Sequence, residues 1–500
     1  MQFVQNVPFF SIMLCMVCGV VSAMLPGRVA KWVTVGLSAA VAAMSAWLTV
    51  FLIGYGDSYV YWMGHFPAPW GNEIRAGLLE AVMALCFSLI MLFSVLGGME
   101  KMTEQVHHSK QHYVCVMLDL VLAAMMAMLY TNDLFTGYVF IEIMTLTACA
   151  LIMSRQNGRT LVSAMRYMIM SLLGSGLTLL AITITYNLTG HLLMENIQQT
   201  IGQLYDSGLY TRPITAIIGL FFVGLGIKSA LYPFHTWLPD AYGYSTPTAS
   251  AVLSSIVSKA YIFLLIKIFY RVIGIRIVMA NHALNLALFF GVLGMMMGSL
   301  NAIGAHDLRR MIAFSSVAQI GYIYAGLGLG VEAGYAAAVY HMVMHAFSKS
   351  ALFISASALS DASGDSKRFS DLRGAGFRHP VAGVCFSIAA MGLVGVPVLG
   401  GFISKLNLSE AAFQQGGAAM WVMLIALAVS TLLNVIYFMK TVITLYRPAR
   451  ADFVPPANPR AGHTALSTLA LWGFTALNIL VGLLANPLMQ AIRLGLNMFE

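Results

Sequence analysis

The chain has 500 residues, of which 59% are hydrophobic and only 9% charged, with a mean hydropathy of +0.81 and a formal net charge of +8. That balance excludes a soluble globular domain, and the basic excess is accounted for by membrane-facing loops and buried lysines, so it gives no ground for a nucleic-acid partner. The apolar runs are continuous, which excludes an outer-membrane barrel with its period-two strands.

A helix needs about 20 apolar residues to cross the hydrocarbon. Runs of that kind begin near Phe9, Ala30, Ala76, Tyr113, Asp133, Leu161, Arg212, Thr248, His282, Leu308, Ala333, Pro380, Ala418 and His463, about fourteen predicted spans in an all-α polytopic fold. The first span holds Cys15 and Cys18 as a CxxC pair, but no second pair completes a metal or cluster site. With Cys86, Cys115, Cys149 and Cys385 they lie in or beside apolar helices, where a thiol packs as a small hydrophobe. Arg28, the first basic residue, follows the first run instead of preceding it, so that run is expected to remain as a span. Asp119, in the fourth span, fits either a cavity or a helix interface.

Ionisable residues then recur inside the runs. Glu142 lies in the fifth span (GYVFIEIMTLTACALI), Lys228 in the seventh (IIGLFFVGLGIKSALY) and Lys259 in the eighth (SAVLSSIVSKAYIFLLI). Lys349 lies in the eleventh (HMVMHAFSKSALFI), Lys405 in the twelfth (GGFISKLNL) and Lys440 near the end of the thirteenth. Each such group costs roughly 2.5–3.5 kcal/mol on insertion scales, so it persists only where it faces protein interior or water, and an ion pathway is the default reading.

Their neighbours carry weaker signals. His341, His345 and Lys349 recur every four residues and share one helical face, spanning roughly 12 Å along the axis. Imidazole accepts and donates protons near neutrality, which suits a relay, and plain helix packing is the alternative. An HxxxH pair also suits a metal, but the sequence supplies no third ligand nearby. His235, just past Pro233, is either a proton-uptake group for the seventh span or a loop cap. Ser254, Ser255, Ser258, Ser315, Ser316, Thr246 and Thr248 either hold water or make helix contacts. Met295 to Met297 read as adaptable packing, and the Gly-rich fragments GLGLGVEAG and GVLGMMMGS as ordinary membrane-helix composition.

Alternating the loops puts about sixteen Lys and Arg on one side, among them Arg28, Lys31, Arg155, Arg159, Lys367, Arg450 and Arg460, against about six on the other. The first side is therefore expected to be cytoplasmic, both termini lie outside, and the Lys267, Arg271, Arg276 cluster is the one discordant group. Pro233 and Pro397 interrupt the seventh and twelfth spans, each with a lysine close by. Interruptions five spans apart are what two inverted five-helix repeats produce, and a simple kink in each helix is the alternative. The expected organisation is spans one to three over 1–112, repeats over 113–272 and 273–447, and a loop with the last span over 448–500.

The segments TNDLFTGYVFIEIMTLTACALI, GIKSALYPFHTWLPDAYGYSTPTASAVLSSIVSKAYIFLLIKI, HDLRRMIAFSSVAQIGYIYAGLG, HMVMHAFSKSALFI and GGFISKLNLSEA resemble the antiporter-like subunits of respiratory complex I, membrane-bound hydrogenases and Mrp-type sodium/proton antiporters. Asp133 ahead of the Glu142 helix, and GIKSALYP, are most similar to the Mrp D branch and its hydrogenase relatives. The resemblance implies that Glu142 pairs with Lys228, that Lys259 is the central lysine and Lys405 the terminal one, and that together they form a hydrated axis in the membrane plane. GYVF stands where that branch has an asparagine-containing stretch.

The chemistry of the residues agrees. Movement of Glu142 toward or away from Lys228 changes how tightly the amine holds its proton, which makes the pair a switch; a static salt bridge is the alternative. The expected protein is a proton-conducting subunit, with sodium as a candidate exchange ion, working with other membrane subunits in the lipid bilayer. It is expected to carry no cofactor or metal and no redox or hydrolytic centre of its own.

Overall fold

A computed structural model describes residues 3–66, 71–281, 283–449 and 464–499 of an all-α polytopic membrane protein. Among the described residues thirteen helices are long and apolar enough to cross a membrane. His282 and His463, named above as span starts, and Arg450 and Arg460, counted above as loop cations, lie outside the described residues.

Helices α1 (Val7–Met24) and α2 (Gly27–Tyr55) open the chain. A short antiparallel hairpin unforeseen from the sequence, β1 (Tyr59–Trp62) with β2 (Glu73–Ala76), leads to α3 (Leu78–Gln105) and α4 (Gln111–Tyr130). Helix α5 (Leu134–Ile152) begins where Asp133 Oδ1 accepts from the Thr136 N–H at 2.6 Å. Helix α6 (Gly158–Thr189) begins where Asn157 and Thr160 cap each other reciprocally. Helix α7 (Met194–Asp206) is too short to span and buries Met194, Ile197 and Ile201 along one face.

Helix α8 (Thr211–Lys228) stops at its lysine, and a 3-10 turn, Phe234–Trp237, then leads to α9 (Leu238–Tyr244). Helices α10 (Pro247–Val252) and α11 (Ser258–Ile268) are joined by a π turn, Leu253–Val257, and a second π turn, Phe269–Ile273, precedes α12 (Ile275–Ala280). Three long helices follow, α13 (Ala283–Ile303), α14 (Leu308–Gly328) and α15 (Glu332–Asp361). After α16 (Ala375–Arg378), the twelfth predicted span is divided between α17 (Pro380–Val394) and α18 (Gly400–Gln415), neither long enough to cross alone. Helices α19 (Gly417–Leu445), α20 (Ala465–Leu483) and the amphipathic α21 (Ala485–Asn497) complete the chain.

Burial separates centre from rim. The most apolar stretch of Pro247–Ile273 is entirely buried, and those of α14 and α15 are 94% buried, against 39% in α6 and α19. The three central helices carry most of the intramembrane lysines and histidines, so those groups sit in protein interior and not against lipid. Small residues allow the close approach: a Cβ at Gly321 of α14 would stand 2.6 Å from the Gly291 carbonyl oxygen of α13.

Four charge assignments are corrected. Lys267 and Arg271 lie inside the Pro247–Ile273 span and are buried, because a carboxylate and backbone carbonyls partner them there; of the discordant cluster only Arg276 is exposed, paired with Asp206 at 2.9 Å. Lys31, assigned to a loop, is buried in α2 and donates to Thr103 Oγ1 at 2.5 Å. Lys440 is exposed near the end of α19, in a groove with Arg373 and Arg447, and so takes no part in the interior.

Candidate functional site

Helix α8 ends at Lys228 because the residues after it leave helical geometry, with Ala230 at φ 64°. The Ile227 carbonyl accepts from the Ala230 N–H at 3.2 Å and from Trp237 Nε1 at 3.4 Å. Such backbone survives at membrane depth only inside protein or beside water. The buried Lys228 Nζ donates to Thr145 Oγ1 of α5 at 2.7 Å and lies 3.8 Å from Glu142 Oε1 on the same helix. Ser175 of α6 donates to that same carboxylate oxygen. Glu142 is 29% exposed while Lys228 is fully buried, so the pair opens outward only on the carboxylate side.

The Lys228 ammonium stands 5.4 Å from the centroid of Tyr261, whose hydroxyl is 3.3 Å from Thr145 Oγ1. Two residues before Tyr261 is Lys259. The π turn ahead of α11 exposes the Ser254 carbonyl, which accepts from Lys259 Nζ, and Ser258 Oγ lies 3.3 Å from the same amine. Helix α15 brings its titratable face against these groups, and Ser350 donates to Ser255 at 2.7 Å across the contact.

On that face Lys349 Nζ donates to the Ile312 carbonyl of α14 at 2.9 Å and to Ser315 Oγ. His341 and His345 have ring centroids 6.1 Å apart, and His341 stacks on Tyr322 at 5.2 Å while its Nδ1 meets Ser404 Oγ at 2.7 Å. Both ring nitrogens of His345 and Nε2 of His341 are buried with no hydrogen-bond partner among the described residues. Lys405, next to Ser404 on α18, donates to the Val394 carbonyl at 2.6 Å and lies 5.7 Å from the Tyr322 centroid. Its ammonium therefore caps the negative end of α17.

The structure thus gathers Glu142, Lys228, Lys259, Lys349, His345, His341 and Lys405 in one interior file. No direct hydrogen bond joins Lys259 to His345 among the described residues. His235 is apart from the file: half-buried, it stacks on Tyr232 at 5.0 Å and makes no bond to Lys228. Asp119 is also apart, accepting from Ser22 at 2.8 Å between α4 and α1. Of the hydroxyls noted in the sequence, Ser254, Ser255, Ser258 and Ser315 line the file, whereas Thr246 caps α10 and Thr248 packs at Gly98.

Sequence reasoning missed the neutral partners Thr145, Ser175, Tyr261, Tyr322 and Ser404, since an uncharged residue in an apolar helix carries no distinguishing signal. It also missed a second buried pair, Arg271 Nη1 to Glu80 Oε1 at 3.0 Å, both groups almost fully buried. Arg271 lies 4.2 Å above the Phe499 ring, and Lys267 Nζ donates to the carbonyls of Leu129 and Thr131 at 2.7 and 2.5 Å. The i,i+4 spacing of Lys267 and Arg271 on an apolar run was the signal available.

Residues 131–433, which contain every member of the file, match the family model described as NADH:quinone oxidoreductase/Mrp antiporter, TM. The chain is 32% identical over 392 residues to NADH-quinone oxidoreductase subunit N of Desulforudis audaxviator, covering 78% of this chain and 76% of that protein. It is 27% identical over 434 residues to the D subunit of the Na(+)/H(+) antiporter of Alkalihalophilus pseudofirmus, covering 86% and 83%. In fold it is similar to a chain of the Mrp complex from Dietzia sp., with a TM-score of 0.85 at 20% identity, covering 100% of this chain and 98% of that one.

Proposed function

The chain belongs to the NADH:quinone oxidoreductase/Mrp antiporter family, and from that premise we propose that it is the proton-conducting membrane subunit of a multisubunit cation/proton antiporter of Mrp type. The observation that carries this reading is the interior file from the Glu142–Lys228 pair through Lys259 and the α15 face to Lys405. Buried amines and imidazoles in such number are poor stabilisers, because each loses hydration that few carboxylates replace. As carriers of a moving proton they have a reason to be there. Glu142 at 3.8 Å is close enough to hold the Lys228 charge and, being shared with Ser175, has a second partner to turn to. The unpartnered nitrogens of His341 and His345 require donors or acceptors, and water is the partner small enough to reach them. Protons would pass from Lys259 through that wet stretch to Lys405. The interruptions after Lys228 and Val394 are read as the broken seventh and twelfth spans of two inverted repeats, with His235 as an uptake group.

The relatives' names support partner membrane subunits and sodium as candidate exchange ion, and we read the chain as a cell-membrane protein whose termini both lie outside from the excess of basic loops on the opposite side. A second reading, a pumping subunit of a complex I or membrane-bound hydrogenase type enzyme, is favoured by the likeness to subunit N. Ion-driven pH changes in vesicles carrying Glu142→Gln test both, since shape is kept and charge lost: transport should fall roughly a hundredfold while assembly persists. Normal rates would remove the pair from the mechanism. Co-purification separates the readings, with small antiporter subunits expected for the first and iron–sulfur subunits for the second.

A further inference from the structure

At the basic end of the molecule, the turn after α5, the start of α6 and the loop after α15 enclose a cleft of about 540 Å³ lined by Arg155, Asn157, Gly158, Arg159, Tyr244 and Lys367. Three cations face it, and among the described residues none is ion-paired with a carboxylate. Arg155 Nη1 donates to the Tyr244 carbonyl at 3.1 Å, Lys367 Nζ to the Gly243 carbonyl at 3.4 Å, and the Arg159 guanidinium lies 5.6 Å from the Tyr244 centroid. Behind them the buried Arg309 donates to the Tyr242 and Ser245 carbonyls at 3.1 and 2.7 Å. Arg309 also donates to Ser250 Oγ, whereas Arg155 and Lys367 each use one donor on a neutral carbonyl and Arg159 only faces a ring, so the three cations of the cleft keep most of their donors unused. Burial, with Arg309 and Arg155 adding to it, pushes Lys367 down to about 7 against the opposing pull of Asp307 and Asp365. Arg155 and Lys367 are half-buried and, among the described residues, none of the three cations has a carboxylate within ion-pair distance, which favours an anion, and the positive end of α6 points the same way.

The cleft also adjoins the lipid-facing rim. Immediately after Arg159, helix α6 exposes Leu161, Val162 and Met165 at 49%, 47% and 62%. We propose that the cleft binds the phosphate of an anionic phospholipid, held by Arg155, Arg159 and Lys367, with the acyl chains along Leu161, Val162 and Met165. The headgroup would sit on Gly243 and Tyr244, the end of α9, and so brace the short helix that leads back to the break after Lys228. Basic recesses between membrane helices are suited to such headgroups.

The test uses the full chain in its purified complex, delipidated in neutral detergent and titrated with dioleoylphosphatidylglycerol, dioleoylphosphatidylcholine or inorganic phosphate, with bound lipid counted by native mass spectrometry. Phosphatidylglycerol should bind in preference to phosphatidylcholine, and Arg159→Gln and Lys367→Gln should each weaken it roughly fivefold. Arg159 caps no carbonyl, so its variant tests charge without disturbing α9; Arg159→Lys should restore binding, and melting curves check that Lys367→Gln folds. Because a bound anion raises Lys367 and takes up a proton, binding should weaken from pH 6 to pH 8 across its value of about 7. The charged groups facing Lys367 in this window are Arg309, Arg155, Asp307 and Asp365. Equal binding of the two lipids, or phosphatidylglycerol binding unchanged when Arg159→Gln and Lys367→Gln are combined, would overturn the proposal. So would saturable inorganic phosphate binding at these residues with no lipid bound.

Discussion

Two carboxylate–cation pairs within the membrane helices differ in ways that assign them different roles. Glu80 and Arg271 meet at 3.0 Å with both groups almost fully enclosed, and Arg271 is held against Phe499. Glu80→Gln should therefore leave an uncompensated guanidinium and cost about 3–5 kcal/mol, seen as a lowered melting temperature and poor yield of the complex. Glu142→Gln should leave melting nearly unchanged, because its carboxylate is partly exposed and more distant from its lysine. His345 offers a different discrimination, since both its ring nitrogens lack protein partners among the described residues. His345→Gln keeps size and polarity but removes a titrating group, so a relay should lose rate most where imidazole is half protonated. Transport measured from about pH 6 to pH 9 in both proteins checks this; superimposable normalised profiles with lower thermal stability would make the histidine structural. Of these residues, Glu142, Lys228 and His345 were legible as charges or imidazoles in apolar runs. Glu80 was not, because a carboxylate in the first turn of a helix reads as an ordinary N-terminal charge.

At the scale of elements, the placement of Lys405 depends on how closely α18 returns against α17. A Cβ at Gly401 would overlap the Gly392 carbonyl oxygen, so the two helices meet there backbone to backbone. Gly401→Ala should force them apart, cost about 1–3 kcal/mol and reduce transport by separating the Lys405 amine from Val394. Gly202→Ala is the control: mid-helix in α7 with open space around it, it should leave melting unchanged or raise stability by about 0.4–1 kcal/mol. Thermal melting beside transport in both variants decides the matter. The spans themselves were legible because twenty-residue hydrophobic runs and their capping residues are local properties. The π turn that presents the Ser254 carbonyl to Lys259 was not, since it meets α15, where Ser350 bonds Ser255, and only the folded chain brings that helix close.

For the whole molecule, the asymmetry of exposed cations predicts orientation. Arg276 is exposed at one end and Arg368 at the other, where Lys367, Arg373 and Arg378 are half-buried. With Cys at each position in turn, an impermeant maleimide applied to intact cells should label the Arg276 site, and the Arg368 site only after permeabilisation. The reverse pattern would invert the topology and exchange the two mouths of the file. The buried Lys267 and Arg271 no longer weigh against this orientation, since they belong to a span and not to a loop.

The sequence by itself determined the solvent, the number and order of membrane-crossing runs, and most of those that hold groups too polar for lipid, Lys31 of α2 and Glu80 of α3 excepted, because each of these follows from short-range composition against a hydrocarbon slab. Only the tertiary structure decided which of those groups share an interior. It set Lys228 beside Glu142, turned the α15 face toward Lys259, brought Lys405 to the end of α17, and sent Lys440 to the surface. The physical reason is that a helix sequence fixes the face on which a residue lies but not the neighbour that face meets. That choice is made by close packing at positions such as Gly321 and Gly401, far along the chain from the charges they bring together.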